Sequence, residues 1–226
     1  MDKCVVSFGI SSSYDRPMYK WVDFEKGVDL LRLNVEALGY DFMGWNEDWP
    51  EGWPTMRNCP YGFKFYAIKE AWDKGYKHVM WADSSAKFKK NGLDDGFALI
   101  EKDGYFFPSR SGNIMCTPYV ANYFGYSSEQ VLGFQGLMGK YFGLSFDSNV
   151  ARCFFDAIFD LTKTGDMFRG TKNIKDFVLS EHWKVHRADQ AVISLLVHKM
   201  GLKASAPLVG TENHGNNVKE KKWIGL

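Results

Sequence analysis

The stretch His78-Val79-Met80-Trp81-Ala82-Asp83-Ser84-Ser85 decides how this chain is read. A short apolar run, ended at once by a carboxylate and two hydroxyls, reads as a buried strand that delivers Asp83 to its carboxyl end. Asp83 and Ser85 stand two apart, so on continued strand geometry their oxygens face the same side and can meet one cation. A hard divalent ion takes oxygen ligands and can bridge a diphosphate while the protein supplies one or two carboxylates. The plainer reading is a capped turn, for which Asp and Ser are ordinary residues.

On the N-terminal side, Phe63 to Lys74 reads as a helix with a packed face of Phe63, Tyr66, Ala67, Ile68 and Ala71, stopped by Gly75. Asn46 to Pro60 carries Pro and Gly-Trp-Pro breakers and is expected to be an irregular excursion. Before it come a strand at Tyr40 to Trp45, a helix at Phe24 to Leu38 and a first strand at Cys4 to Ile10 that feeds Ser11-Ser12-Ser13. Strand, helix, strand, helix, strand in that order predicts crossover connections and a largely parallel sheet, with ligands beyond the carboxyl strand ends. The expected class is α/β, a mixed and mostly parallel sheet flanked by helices.

On the C-terminal side, Gly92 to Phe146 is rich in Gly, Tyr and Phe. It contains a helix at Asp94 to Lys102, a strand at Gly104 to Phe107 and a helix after Ser127-Ser128-Glu129, in an order the pattern leaves open. Asn149 to Thr164 and Ala188 to Met200 are amphipathic and predict two flanking helices. The polar tail, Gly210 to Leu226, suits a mobile end or a loop folded over a ligand.

Composition narrows the function classes. Lys plus Arg total 28 against 27 Asp plus Glu in 226 residues, so neither nucleic acid nor an anionic membrane is an expected partner. Lys87-Phe88-Lys89-Lys90 reads as a solvated turn. Cys4, Cys59, Cys116 and Cys153 form no CxxC pair and read as reduced thiols, and no signal peptide or membrane span is expected, which gives a cytoplasmic expectation. There is no HExxH, GxSxG, GxGxxG or Walker pattern. Aromatic residues make up 16% of the chain, enough to offer a sugar a stacking surface, although most are expected in the core.

The apolar strand followed by Trp81-Ala82-Asp83-Ser84-Ser85 resembles the aspartate-containing metal motif of GT-A glycosyltransferases, with Ser85 where Asp-x-Asp has its second carboxylate. His182-Trp183-Lys184, then Asp189-Gln190 before an apolar run, is similar to the Asp-Gln helix start of glycogenin-like and lipopolysaccharide galactosyltransferase-like enzymes. His214-Gly215 and Lys222-Trp223 resemble the C-terminal His, Gly and Lys-Pro-Trp signature of that family, at longer spacing and without the Pro.

The resemblance, in family order from Val5 to Trp223, implies a single GT-A-like domain of the nucleotide-diphospho-sugar transferase type over residues 1–226. Residues 1–91 would be its nucleotide-binding half, 92–209 its acceptor half and 210–226 a tail over the donor site. The implied activity is metal-assisted hexosyl transfer from a nucleotide sugar, a UDP-sugar by analogy, to a glycan or other hydroxyl acceptor.

Asp83, Ser85 and His214 would hold Mn²⁺ or Mg²⁺. Lys64, Asp83, Ser84 and Lys222, with Ser7, Gly9, Ser11 and Tyr14 of the loop after the first strand, would contact the donor. Asp189 and Gln190 would lie at the sugar and the reacting carbon. Blander readings stand beside each: an exposed helix Lys64, a helix-opening Asp189 and a solvated His214. Two rival functions also stand. A sugar nucleotidyltransferase would carry a Gly-rich basic N-terminal loop, which is absent; a non-catalytic nucleotide-sugar or glycan binder would have lost its metal with Ser85. Donor, acceptor, stereochemistry and oligomeric state are set by loops rather than by these motifs.

Overall fold

Strand β1 (Lys3–Phe8) is buried on both faces, with Cys4, Val6 and Phe8 packed to one side and Val5 to the other, as a continuous apolar run requires. The computed structural model describes residues 2–10, 23–176, 186–209 and 211–213. After β1 come α1 (Phe24–Ala37), β2 (Asp41–Trp45), α2 (Phe63–Asp73) and β3 (His78–Ala82), the order read from the sequence. The middle of the chain supplies β4 (Ala86–Phe88), α3 (Lys90–Asp103), β5 (Tyr105–Phe106), β6 (Ser109–Asn113), α4 (Pro118–Phe124), α5 (Ser128–Leu132), β7 (Gln135–Leu137) and β8 (Tyr141–Ser145). Helices α6 (Asn149–Thr164), α7 (Asp166–Arg169) and α8 (Ala188–Lys199) follow, then β9 (Thr211–Asn213).

The central sheet has the order β2-β1-β3-β8-β5. β1 pairs in parallel with β2 and β3, while β8 runs antiparallel to both β3 and β5. Four strands therefore run one way and β8 the other, a mixed and mostly parallel sheet that takes strands from both the 1–91 and 92–209 segments. Helices α1 and α3 cover one face through Leu31, Val35, Phe97 and Ile100. Helices α2 and α6 cover the other through Ile68, Ala71, Phe154, Phe155 and Ile158. Local signals fix the ends of these helices: Asp23 accepts from Lys26 N at the start of α1, Ser148 from Ala151 N at the start of α6, and Gly165 takes the left-handed conformation that closes α6.

The excursion between β2 and α2 is irregular, as its breakers predict, yet it is pinned by aromatic packing. Phe8 stacks on Phe63 at 4.5 Å between centroids and meets Trp49 edge-on at 4.9 Å. Each such pair adds roughly 0.5–1.5 kcal/mol beyond its buried area. Most of the aromatic content is thus core rather than an open stacking surface.

At the edge of the molecule, Asn34 of α1 donates to Phe88 O at 3.0 Å and accepts from Phe88 N at 2.8 Å, which ties β4 to α1. β9 pairs antiparallel with β4, Asn213 opposite Ala86, so the start of the polar tail returns to the turn that follows β3. Among the described residues, no helix is long and apolar enough to cross a membrane.

Candidate functional site

The carboxyl ends of β1 and β3 open into a cleft of about 210 Å³. Phe8, Tyr61, Phe63 and Trp81 give it aromatic walls, and Lys64, Asp83, Ser84, Ser85, Asp189 and Gln190 line its polar side. Each element delivers its residue for a local reason. Asp83 is the first residue off β3, with its N–H on Lys140 O at 2.7 Å and its own carbonyl accepting from Ala86 N at 2.8 Å. The chain therefore turns at Ser84-Ser85 instead of continuing as a strand. This corrects the expectation that strand alternation aligns Asp83 with Ser85: the turn folds both into the cleft.

Lys64 lies at the centre. It stands in the first turn of α2 on the same stripe as Ile68 and Ala71, and its side chain is only 4% exposed. Its ammonium donates to Gly139 O at 2.6 Å and Asp83 Oδ1 at 3.0 Å. Asp189 Oδ2 lies 2.8 Å away, an ion pair by distance although not aligned as a hydrogen bond. The expectation of an exposed helix lysine is overturned: burial of a lysine requires partners, and three converge here. Asp83 Oδ1 also accepts from the Trp81 indole at 2.9 Å.

Burial opposes the charge on Lys64, but Asp189 and then Asp83 more than offset it and hold its pKa above the ordinary lysine value. Burial also pushes the Asp189 carboxyl above the usual carboxylate range, with Lys64 opposing the rise and Asp83 adding to it. An isolated pair would raise the lysine and lower the aspartate. Here both rise, because burial of Asp189 outweighs the pull of Lys64 and the second carboxylate, Asp83, adds to the rise. Lys140, half-buried beside Asp83, is held below the lysine range by burial, with Asp83 opposing.

Among the described residues, the non-glycine positions with positive φ are Tyr61 at 62° and Ala188 at 38°, and they precede Lys64 and Asp189. Backbone strain of this kind costs of order 1–3 kcal/mol per residue and clusters where a site over-determines its geometry. Gly139 contributes through close approach. A Cβ there would lie 2.5 Å from Asp189 Oδ2 and 2.9 Å from Gln190 Cγ.

For a divalent cation the donor set fits in part. Asp83 has one oxygen committed to Lys64 and Trp81, but its side chain is 37% exposed, so the other oxygen is reachable beside Ser85. Asp189, 5% exposed and spent on Lys64, does not fit as a ligand. No group of three His, Cys, Asp or Glu side chains converges among the described residues, so such an ion would rely on phosphate oxygens.

The structure thus brings together Lys64, Asp83, Ser84, Ser85, Asp189 and Gln190. Ser7 is not in the lining. Strand alternation puts it with Val5 on the α1 side, and its buried hydroxyl has no hydrogen-bond partner among the described residues. Gly9 serves packing, since a Cβ there would come within 2.5 Å of Phe24 O in α1. Ser11, Tyr14, His182, Trp183, Lys184, His214, Gly215, Lys222 and Trp223 lie outside the described residues.

Sequence reasoning missed Trp81 as a donor to Asp83, Gly139, Lys140 and Arg110, whose guanidinium donates to Gln190 Oε1 at 3.1 Å. Only Trp81 had a signal, standing two residues before Asp83 and so able to reach it along a strand.

No protein-family model matches this chain, and a search of curated proteins finds no match. Among solved structures, a glycosyltransferase involved in glycosylation of the major capsid of PBCV-1 is 11% identical, over 70% of this chain and 67% of that one, with a TM-score of 0.38. Mouse xyloside xylosyltransferase 1 in its apo form is 10% identical over 91% and 85%, at 0.45. The 2-C-methyl-D-erythritol 4-phosphate cytidylyltransferase of Thermus thermophilus is 9% identical over 94% and 90%, at 0.44. Likenesses of this size carry none of those proteins' residues or substrates onto this chain.

Proposed function

We propose that this chain is a glycosyltransferase that binds a nucleotide-diphosphate sugar, a UDP-sugar in our reading, in the cleft and moves its sugar to a hydroxyl of a glycan or other acceptor. The observation that supports this reading is the buried ammonium of Lys64 held between Asp83 and Asp189 at the carboxyl end of a parallel strand. Sugar transfer from a diphosphate needs cationic charge for the leaving group and a carboxyl or amide group at the sugar and acceptor, all held in line. Lys64 would offset the charge of Asp83 and Asp189 beside the diphosphate, with Lys140 adding positive charge near Asp83. Asp189, its carboxyl raised by burial, is suited to exchange hydrogen bonds or a proton with a sugar or acceptor hydroxyl. Gln190 lies nearest the reacting carbon. Mn²⁺ or Mg²⁺, held by the open oxygen of Asp83 with Ser85 and His214, would neutralise the diphosphate when bound. In this reading residues 92–209 would supply the acceptor side, and residues 210–226, with Lys222, would be the tail over the donor.

The test is a thermal-shift and calorimetric titration with nucleoside diphosphates and nucleotide sugars, with and without Mn²⁺, on wild type and Asp83→Ala. Stabilisation by one nucleotide, strengthened by Mn²⁺ in wild type and lost in Asp83→Ala, is expected. If no nucleotide or nucleotide sugar stabilises the wild type, the transferase reading is wrong. Binding without turnover of any donor would favour the non-catalytic binder.

A further inference from the structure

Gln190 is held more firmly than a cleft glutamine on a helix need be. Its N–H donates to Arg187 O at 2.9 Å, and its carbonyl accepts from Ser194 Oγ at 2.6 Å. Ser194 Oγ in turn accepts from Leu137 N of β7 at 2.9 Å, so the first turn of α8 is tied to that strand. The side chain passes Gly139, where a Cβ would come within 2.9 Å of Gln190 Cγ, and ends at Arg110.

Arg110 is itself aimed at this point. It lies on β6, where the pairing with β7 shifts register between Ser109 and Asn113, and such bulges re-aim a side chain. Its stem packs over Gly136, where a Cβ would sit 3.2 Å from Arg110 Cδ. Its Nε donates to Ser111 O at 3.2 Å, and its Nη1 reaches Gln190 Oε1 at 3.1 Å. Among the described residues, no carboxylate lies within ion-pair distance of Arg110. A guanidinium has donors and no acceptor, so only the oxygen end of the Gln190 amide can face it.

We propose that Arg110 is a positioning residue that fixes the amide of Gln190, so that Gln190 presents its NH₂ hydrogens, and not its carbonyl oxygen, to the ligand in the cleft. The ligand group opposite Gln190 is then a hydrogen-bond acceptor, a sugar or phosphate oxygen. The ligand half of the proposal rests on the cleft being the donor site; the Arg110–Gln190 lock does not.

The test uses the side-chain amide resonances of Gln190 in ¹⁵N-labelled full-length protein, assigned by their loss in Gln190→Glu. Without ligand, Arg110→Met should shift the pair and lower its heteronuclear NOE. Arg110→Lys, which keeps a donor-only head group, should restore both. Unchanged resonances in Arg110→Met would overturn the lock, whatever the cleft binds.

With UDP-glucose and Mn²⁺ as the probe, the Gln190 NH₂ pair should shift in wild type, and Arg110→Met should weaken binding by roughly fivefold or more, the scale of one ordered hydrogen bond. Saturation by UDP-glucose without any movement of the NH₂ pair, or full affinity retained in Gln190→Glu, would overturn the presented-donor half. If UDP-glucose does not bind wild type, the ligand half falls with the donor-site reading, and the ligand-free comparison still decides the lock.

Discussion

Helix α2 carries two lysines, Lys64 and Lys69, and each ends within 3.0 Å of a carboxylate. Lys69 meets Asp73 one turn along the same helix at 2.5 Å, with the two side chains 36% and 56% exposed. Lys64 meets Asp83, just past the end of β3, and Asp189 of α8, and is almost wholly buried. Coulomb's law acts on both, but water screens one and not the other. The exposed pair decorates a helix, whereas the buried cluster joins three elements and leaves one negative charge more than its cation balances.

The largest effect should come from breaking the buried side. Lys64→Met keeps most of the stem volume and leaves two carboxylates without their cation, which should cost about 3–5 kcal/mol at neutral pH in urea unfolding, and all donor binding. Asp189 sets the pH dependence. Its folded pKa lies above its unfolded value, so its contribution to stability is fully present below the unfolded pKa and is lost as pH rises through the folded one. Asp189→Asn should therefore gain on wild type as pH rises, and the two should converge in acid while the variant stays inactive. A wild type that gains on Asp189→Asn with rising pH would mean that Lys64 pairs chiefly with Asp189 and that the cluster holds no excess charge.

Gly139→Ala tests the other wall. The added methyl enters where Asp189 and Gln190 already stand, so one of them must move; overpacking of this kind costs roughly 1–3 kcal/mol. Ligand affinity should fall further than stability does, because the displaced groups are those that face the cleft. Paired thermal-shift runs with and without UDP-glucose separate the two. A stability loss with unchanged affinity would place the ligand away from Asp189 and Gln190.

The same contrast explains what could be read without coordinates. The β3 run His78 to Ala82 and helix α6 declare themselves because periodicity is local, and Asp83 follows from its place after a strand. Lys64 left a fainter trace: it shares the stripe of Ile68 and Ala71, where a lysine is out of place, while Lys69 falls on the outer face. Strand β8, Tyr141-Phe142-Gly143-Leu144-Ser145, is buried throughout and shows no alternation to mark it, so its antiparallel insertion beside β3 stayed open. Gly139 and Arg110 meet their partners across 75 and 80 residues, and no local pattern encodes such pairings.

The smallest expected effect sharpens the comparison from the other end. Lys69→Ala removes an exposed i,i+4 partner of Asp73 and a cation 5.6 Å above the Trp72 ring, and neither group is left buried. The cost should be about 0.3–0.5 kcal/mol, lower still at high salt, with no change in ligand binding. Because Lys69 shares no partner with Lys64, the double variant should lose the sum of the two single losses. A loss above about 1 kcal/mol for Lys69→Ala, or a deficit well beyond additivity in the double variant, would show that α2 unfolds locally once either lysine is lost. The Lys64 result would then have to be read as helix stability rather than as buried charge.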